Sequence, residues 1–190
     1  MKTKKNKKIV IFGGSGFLGN SLIKFLIKRN VEIILFTRNF SPEKLIKKYK
    51  SNSNIKIINW NVNDYGLIEK NTLNTDCIIN LCGILYENKH GDFFSVHCDH
   101  PALLGKLSIK NKINKLIHVS ALGVSELSDS IYSRSKAIGE RKLLENFPKA
   151  KILRPSLLFG KGDNFFGQFS EMSSLSPFLP LISRSTKFQP

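Results

Sequence analysis

Phe12-Gly13-Gly14-Ser15-Gly16-Phe17-Leu18-Gly19 stands between a short apolar run, Ile9 to Phe12, and a stretch of helical periodicity. The spacing satisfies GxxGxxG (Gly13, Gly16, Gly19) and GxGxxG (Gly14, Gly16, Gly19) together. Downstream, Phe17, Leu18, Leu22, Phe25 and Leu26 recur at three- and four-residue intervals, one face of a 3.6-residue period. Asn30 ends that pattern, and Glu32 to Thr37 reads as a second buried strand. Strand, helix and strand at these lengths make a βαβ unit, which requires parallel pairing and a right-handed crossover. In that setting the glycines have a physical purpose. A tight turn needs φ > 0, a missing Cβ lets a pyrophosphate approach the backbone, and the free amides and positive end of the helix hold the anion. Gly13, Ser15, Gly16, Phe17, Leu18 and Gly19 are therefore candidate cofactor-binding residues.

The alternation continues outward. Ser41-Pro42-Glu43 has the Ser cap and first-turn Pro of a helix start. Ile55 to Trp60, Cys77 to Cys82, Leu116 to Ser120 and Lys151 to Arg154 read as strands three to six. Helices are expected from Pro101 to about Lys110 and from Ser133 to Glu145. Nearly continuous apolar strands separated by helices imply an α/β protein with a parallel sheet covered on both faces. The expected organisation is a basic tail over 1–7, a nucleotide-binding domain over 8–160, and the start of a substrate-side segment over 161–190. In that last segment Phe165, Phe166, Phe169 and the stretch Leu175 to Ile182 are apolar but interrupted by Pro177 and Pro180. The alternation stops after Gly160, so the fold is expected to be C-terminally truncated.

Composition narrows the classes. A 41% apolar content suits a folded domain, and no run approaches a membrane span. The formal charge of +16 raises the question of nucleic acid. Of the 30 basic residues 24 are Lys, spread along the chain, whereas base readout favours clustered Arg with aromatics nearby. A loose affinity for acidic surfaces or lipids fits better than sequence-specific nucleic-acid binding. Cys77, Cys82 and Cys98 contain no CxxC pair, and an odd number suits a reducing compartment, hence a cytoplasmic expectation. His97-Cys98-Asp99-His100 crowds four potential ligands together, with His90 near. Such crowding does not give tetrahedral geometry, so no metal is expected, and Asp99 or His100 is expected to cap the helix at Pro101.

Strand two ends in Thr37-Arg38-Asn39 without the acidic residue that holds a ribose 2′-hydroxyl. Arg38 can instead pair with a 2′-phosphate, so the sequence favours NADP(H) over NAD(H).

Further motifs give the chain a family resemblance. Asn61-Val62 follows strand three, Asn80-Leu81-Cys82-Gly83 ends strand four, Tyr132-Ser133-Arg134-Ser135-Lys136 is a YxxxK motif after strand five, and Arg154-Pro155-Ser156 follows strand six. With the glycine block, these resemble an extended or atypical short-chain dehydrogenase/reductase of the NAD-dependent epimerase/dehydratase type. The resemblance runs over about residues 8 to 190. It implies a Rossmann-type doubly wound parallel sheet and adds Asn61, Val62, Leu81, Cys82, Gly83, Ser120, Tyr132, Lys136 and Pro155 to the cofactor-binding candidates. It also implies that Tyr132 and Lys136 are the catalytic pair. Four residues apart on a helix they share a face, and the ammonium is expected to lower the phenol's pKa.

Two members of that family's relay depart from its pattern. Ala121 occupies the position of the catalytic serine, with Ser120 one residue away and so facing the other side of a strand. His97 replaces the relay asparagine.

The phrases INLCGILYE, HVSALG, YSRSKAIGE and ILRPSLLFG resemble, within that superfamily, the branch containing the Rossmann-fold accessory subunit of respiratory complex I and its bacterial relatives. The resemblance implies an NADP(H)-binding accessory or assembly factor of an NADH:quinone oxidoreductase with little or no turnover. Its partners would be subunits of that membrane-bound complex, and its place cytoplasmic and peripheral on the inner membrane, or the matrix side in an organelle. The alternatives are an active NAD(P)-dependent reductase or sugar-nucleotide epimerase/dehydratase using Tyr132 and Lys136, and a redox-sensing regulator.

Overall fold

A computed structural model describes residues 6–38, 49 and 52–160 of the chain. The helix expected at Ser41-Pro42-Glu43, most of the basic tail and the whole segment 161–190 lie outside the described residues. The chain divides into two compact units, Met1–Arg154 and Pro155–Pro190. In the second, Pro155–Gly160 is described and forms neither helix nor strand.

In the first unit the elements run β1 (Lys7–Phe12), α1 (Phe17–Ile27), β2 (Val31–Thr37), β3 (Ile55–Asn59), α2 (Tyr65–Thr72) and β4 (Cys77–Asn80). Then come α3 (Asp92–Phe94), a π-helical turn (Ser95–Asp99), α4 (His100–Lys110), β5 (Lys115–Val119), α5 (Ile131–Asn146) and β6 (Lys151–Leu153). The six strands form one sheet in the order β3-β2-β1-β4-β5-β6, and every pairing is parallel. This is the doubly wound Rossmann arrangement. Its strand order reverses between β1 and β4, so a crevice opens there at the carboxyl ends of the strands.

Period-two alternation divides the core. Val10, Phe12, Ile34, Phe36, Ile78 and Leu116 face one side, packed with Leu104, Leu107, Leu143 and Phe147 from α4, α5 and the residue after it. Ile11, Ile33, Leu35 and Ile79 face the other, against Ile23 and Leu26 of α1. Each such fully buried side chain contributes about 1.5–3 kcal/mol relative to exposure, which is why the strands read as continuous apolar runs.

Two local expectations are corrected. The buried stripe of α1 is Gly19, Ile23 and Leu26, whereas Phe25 is 53% exposed, with the Arg29 guanidinium 3.4 Å above its ring. Neither Asp99 nor His100 caps a helix at Pro101. The helix begins at Asp92, after the left-handed Gly91, and continues through the π turn; Asp99 has helical φ/ψ and makes no capping bond. The periodicity hid this, because a π turn inserts one residue and breaks the 3.6-residue register. Helix α2 was not legible either: Tyr65–Thr72 is mostly polar and contains Gly66.

Candidate nucleotide site

The turn after β1 is built from close approaches. Gly13 has φ +75°, and a Cβ there would lie 2.9 Å from the Leu81 carbonyl carbon at the end of β4. A Cβ on Gly19 would lie 2.4 Å from Gly14 Cα, so the first turn of α1 can sit directly on the loop. Gly16 caps α1 with extended backbone and no side-chain hydrogen bond, and no acid stands in the first turn. The amides there are left for a ligand, with the positive end of the helix behind them.

Around this turn lies a cavity of about 600 Å³, a usual size for a small-molecule site. Of the residues expected at the cofactor, Gly13, Ser15, Gly16, Arg38, Asn61, Val62, Leu81, Cys82 and Gly83 line it. Asn61-Val62 is held there by a turn in which the Asn61 amide donates to Asp64 Oδ2 at 2.6 Å. Phe17, Leu18, Gly19, Ser120, Tyr132 and Lys136 are not on its wall, and Pro155 belongs to the second unit. Sequence reasoning missed Trp60, Ile84, Asn88, Lys89, Asp92, Ser95 and Val96. The loop carrying Asn88 and Lys89 is fixed by acids around the start of α3. Asp92 Oδ2 accepts from the Asn88 and Lys89 amides at 3.1 and 2.9 Å, and Glu87 Oε1 accepts from the Phe93 amide at 2.8 Å. Acids at a helix N-terminus are the signal that could have located this loop.

Beside the cavity stand the residues at which the resemblance places a relay. His97, fully buried, stacks on Phe93 and meets Tyr132 edge-on, with ring centroids 5.4 Å apart in each case. Its Nε2 accepts from the Ile84 amide at 3.1 Å. Ser135 Oγ donates to the Tyr132 carbonyl and so accepts from His97 Nδ1–H at 2.9 Å. Both imidazole nitrogens are thus committed, which assigns the neutral Nδ1–H tautomer. Burial, reinforced by Lys136, pushes the His97 pKa down to about 3. His97 braces the Gly83-Ile84 corner through the Ile84 amide, and its burial disfavours the charged imidazolium.

The expected electrostatics of the YxxxK pair is corrected. Burial pushes the Tyr132 phenol up, not down. Lys136 is itself lowered to about 8 by burial. Its Nζ donates to the Val119 carbonyl at 3.4 Å and lies beside Gly83. Ser120 is buried, its hydroxyl meets no partner among the described residues, and its amide donates to Leu153. Ala121 supplies no hydroxyl. Cys98 Sγ donates to the Ser135 carbonyl at 3.0 Å, and burial lifts both Cys82 and Cys98 to about 11, so these thiols are packing groups. No three His, Cys, Asp or Glu side chains among the described residues come together around a point that could hold a metal ion.

Residues 5–92 match the NmrA-like family model. The chain is 32% identical over 184 residues to the mitochondrial NADH dehydrogenase [ubiquinone] 1 alpha subcomplex subunit 9 of Dictyostelium discoideum, covering 95% of this chain and 50% of that protein. It is 30% identical over 178 residues to the subunit of the same name from Mus musculus, covering 93% of this chain and 47% of that protein. Among solved structures, dTDP-glucose 4,6-dehydratase from Bacillus anthracis in complex with NAD superposes with a TM-score of 0.69 at 20% identity, over 82% of this chain and 56% of that one. The chain shares its fold with that dehydratase. It spans about half the length of the curated relatives it matches.

Proposed function

We propose that the chain binds a nicotinamide dinucleotide, NADP(H) in preference to NAD(H), as an accessory or assembly factor of an NADH:quinone oxidoreductase with little or no turnover of its own. The observation that carries this is an open phosphate cradle beside a relay that is locked. The cradle is the uncapped start of α1 with Arg38 on the cavity wall. The relay has a neutral histidine with both nitrogens engaged, an alanine in place of serine and a phenol raised by burial. Gly13, Ser15 and Gly16 would receive the pyrophosphate, Asn61 and Val62 the adenine, Arg38 the 2′-phosphate, and Gly83 with Lys136 the nicotinamide ribose. When bound, the cofactor would supply a hydride donor or acceptor; the protein's contribution is to hold it and to exclude water. The respiratory-complex part of the reading rests on the relatives named above. It would place the protein beside a membrane-bound complex, on the cytoplasmic or matrix face.

The test is titration of the full-length protein with NADPH, read through Trp60, the single tryptophan, which lines the cavity. Saturable quenching is the expected result. In Gly16→Val the new Cβ lies 3.4 Å from the Gly13 carbonyl oxygen, an ordinary contact, and the extended backbone accepts it, so the melting temperature should stay within a few degrees. That side chain would occupy the pyrophosphate's place. Affinity should fall about 100-fold, or about 2.7 kcal/mol. Arg38→Ala should weaken NADPH by about 10-fold or more and leave NADH nearly unchanged, because a charge-assisted pair contributes about 1.5–3 kcal/mol. Equal losses for the two cofactors would remove the 2′-phosphate role. Native mass spectrometry of the endogenous protein reads retained nucleotide and co-purifying respiratory subunits together.

A second reading, an active NAD(P)-dependent reductase or epimerase/dehydratase, is favoured by Lys136, whose lowered pKa is that of a group placed for proton chemistry. There Tyr132→Phe should reduce turnover of a candidate substrate by about 100-fold or more, without changing NADPH affinity. Unaltered turnover would exclude Tyr132 as acid or base.

A further inference from the structure

We propose that the edge of the sheet opposite the cavity docks on an anionic phospholipid bilayer. In an all-parallel sheet every strand starts on one edge, and each intervening helix ends there. Among the described residues, that edge is where lysine concentrates. β1 opens on Lys7-Lys8, β5 on Lys115 and β6 on Lys151. The connections add Lys28-Arg29 after α1, Lys112 after α4 and Lys149 before β6. Against them stand Glu32, Asp76, Glu69 and Glu145, the last two already paired with Lys110 and Arg141. Lys7, Lys28, Lys112, Lys115, Lys149 and Lys151 are exposed and form no ion pair with a described acid.

Cations at helix ends also complement the helix dipole. Cations at strand starts have no such role, because sheets carry little net dipole. Lys8 Nζ donates to the Leu73 carbonyl at 2.9 Å, but Lys7, Lys115 and Lys151, at the starts of β1, β5 and β6, are left for a partner outside the chain. Apolar side chains lie among them. Phe25, Leu73 and Ile109, in or directly after the last turns of α1, α2 and α4, are 53%, 46% and 60% exposed. Lysines with long apolar stems, interleaved with exposed Phe, Leu and Ile, are the chemistry of a bilayer interface: the heads meet lipid phosphates and the apolar groups enter the headgroup layer. A nucleic acid would reward arginine forks in a groove-shaped surface, but Arg29 on this edge already covers Phe25. Docking by this edge leaves the cavity, at the opposite ends of the strands, facing away from the membrane.

The full-length protein is sedimented with phosphatidylcholine vesicles that contain or lack phosphatidylserine, at low and high salt. Retention on the anionic vesicles alone, lost at high salt, is expected. Each cation near an anionic leaflet raises partitioning about fivefold, so the triple change Lys112→Glu, Lys115→Glu, Lys151→Glu should lower it by about 100-fold or more. NADPH titration of that variant should be unchanged, and the three Lys→Arg replacements should partition like the parent. Equal retention on neutral vesicles, undiminished partitioning of the glutamate variant, or tighter binding to duplex DNA than to the anionic vesicles would each overturn the proposal. This test is independent of the nucleotide reading, which the NADPH titration decides separately.

Discussion

Acidification is expected to unfold this protein cooperatively well above the carboxylate range. His97, His100 and His118 are all buried, and burial lowers each from the usual 6.5 to about 3. A base whose folded pKa is depressed binds its proton in the unfolded state first. Between about pH 6.5 and pH 3 the unfolded chain therefore takes up close to three protons that the native protein refuses. Stability is complete above about pH 6.5 and falls as the pH drops, with a limiting slope of about 4 kcal/mol per pH unit. A domain of ordinary stability, about 5–15 kcal/mol, is spent within a few units. Urea unfolding followed at a series of pH values measures that slope. His100 is the informative position. Its ring packs between Phe12 and Trp60, at centroid distances of 4.9 and 4.8 Å, and neither nitrogen has a partner among the described residues. His100→Phe keeps the ring and removes one titrating group, so the slope should fall by about a third and stability at neutral pH should rise by about 1–3 kcal/mol. An unchanged slope would mean that His100 is protonated in the native protein or already solvated.

Gly139→Ala is expected to be the most damaging single methyl in the described fold. A Cβ at Gly139 would lie 1.7 Å from the His97 carbonyl oxygen and 2.8 Å from its carbon. Those are backbone atoms of the π turn, and no side-chain rotation relieves the clash. A loss of about 3 kcal/mol or more is expected, or a drop in melting temperature of about 6–12 °C for a domain of this size. Because His97 also holds the Ile84 amide, the cavity wall should loosen with it, and NADPH affinity should fall in the same variant. A thermal melt within 2 °C of the parent would show that the π turn has room to move and would falsify this account of the α5 contact.

The same residue shows where sequence reasoning reached its limit. Gly139 sits in the middle of a helix, where glycine costs about 1 kcal/mol relative to alanine, and nothing local explains it. Its reason is a carbonyl 42 residues earlier, on a helix whose π turn hides from a 3.6-residue period. The Asn80–His118 bond has the same character. It joins residues that are register partners on β4 and β5, and no motif marks it. The direction expected for the Tyr132 phenol pKa differed for a related reason. Helical spacing puts Tyr132 and Lys136 on one face, but their protonation depends on how deeply that face is buried.

The family resemblance supplied the candidates Asn61, Val62 and Leu81 to Gly83, while the amino-acid order alone determined the parallel α/β fold, the glycine turn at the end of β1 and the candidate Arg38. These are local properties: periodicity of two or 3.6, turn chemistry, and the residues at a strand's end. Only the tertiary structure decided that His97 is locked neutral, that Trp60 and Lys89 wall the cavity, and that dispersed lysines gather on one edge of the sheet. Those outcomes are set by burial, by close backbone approach and by which strand ends lie side by side, and each arises between segments far apart in the chain.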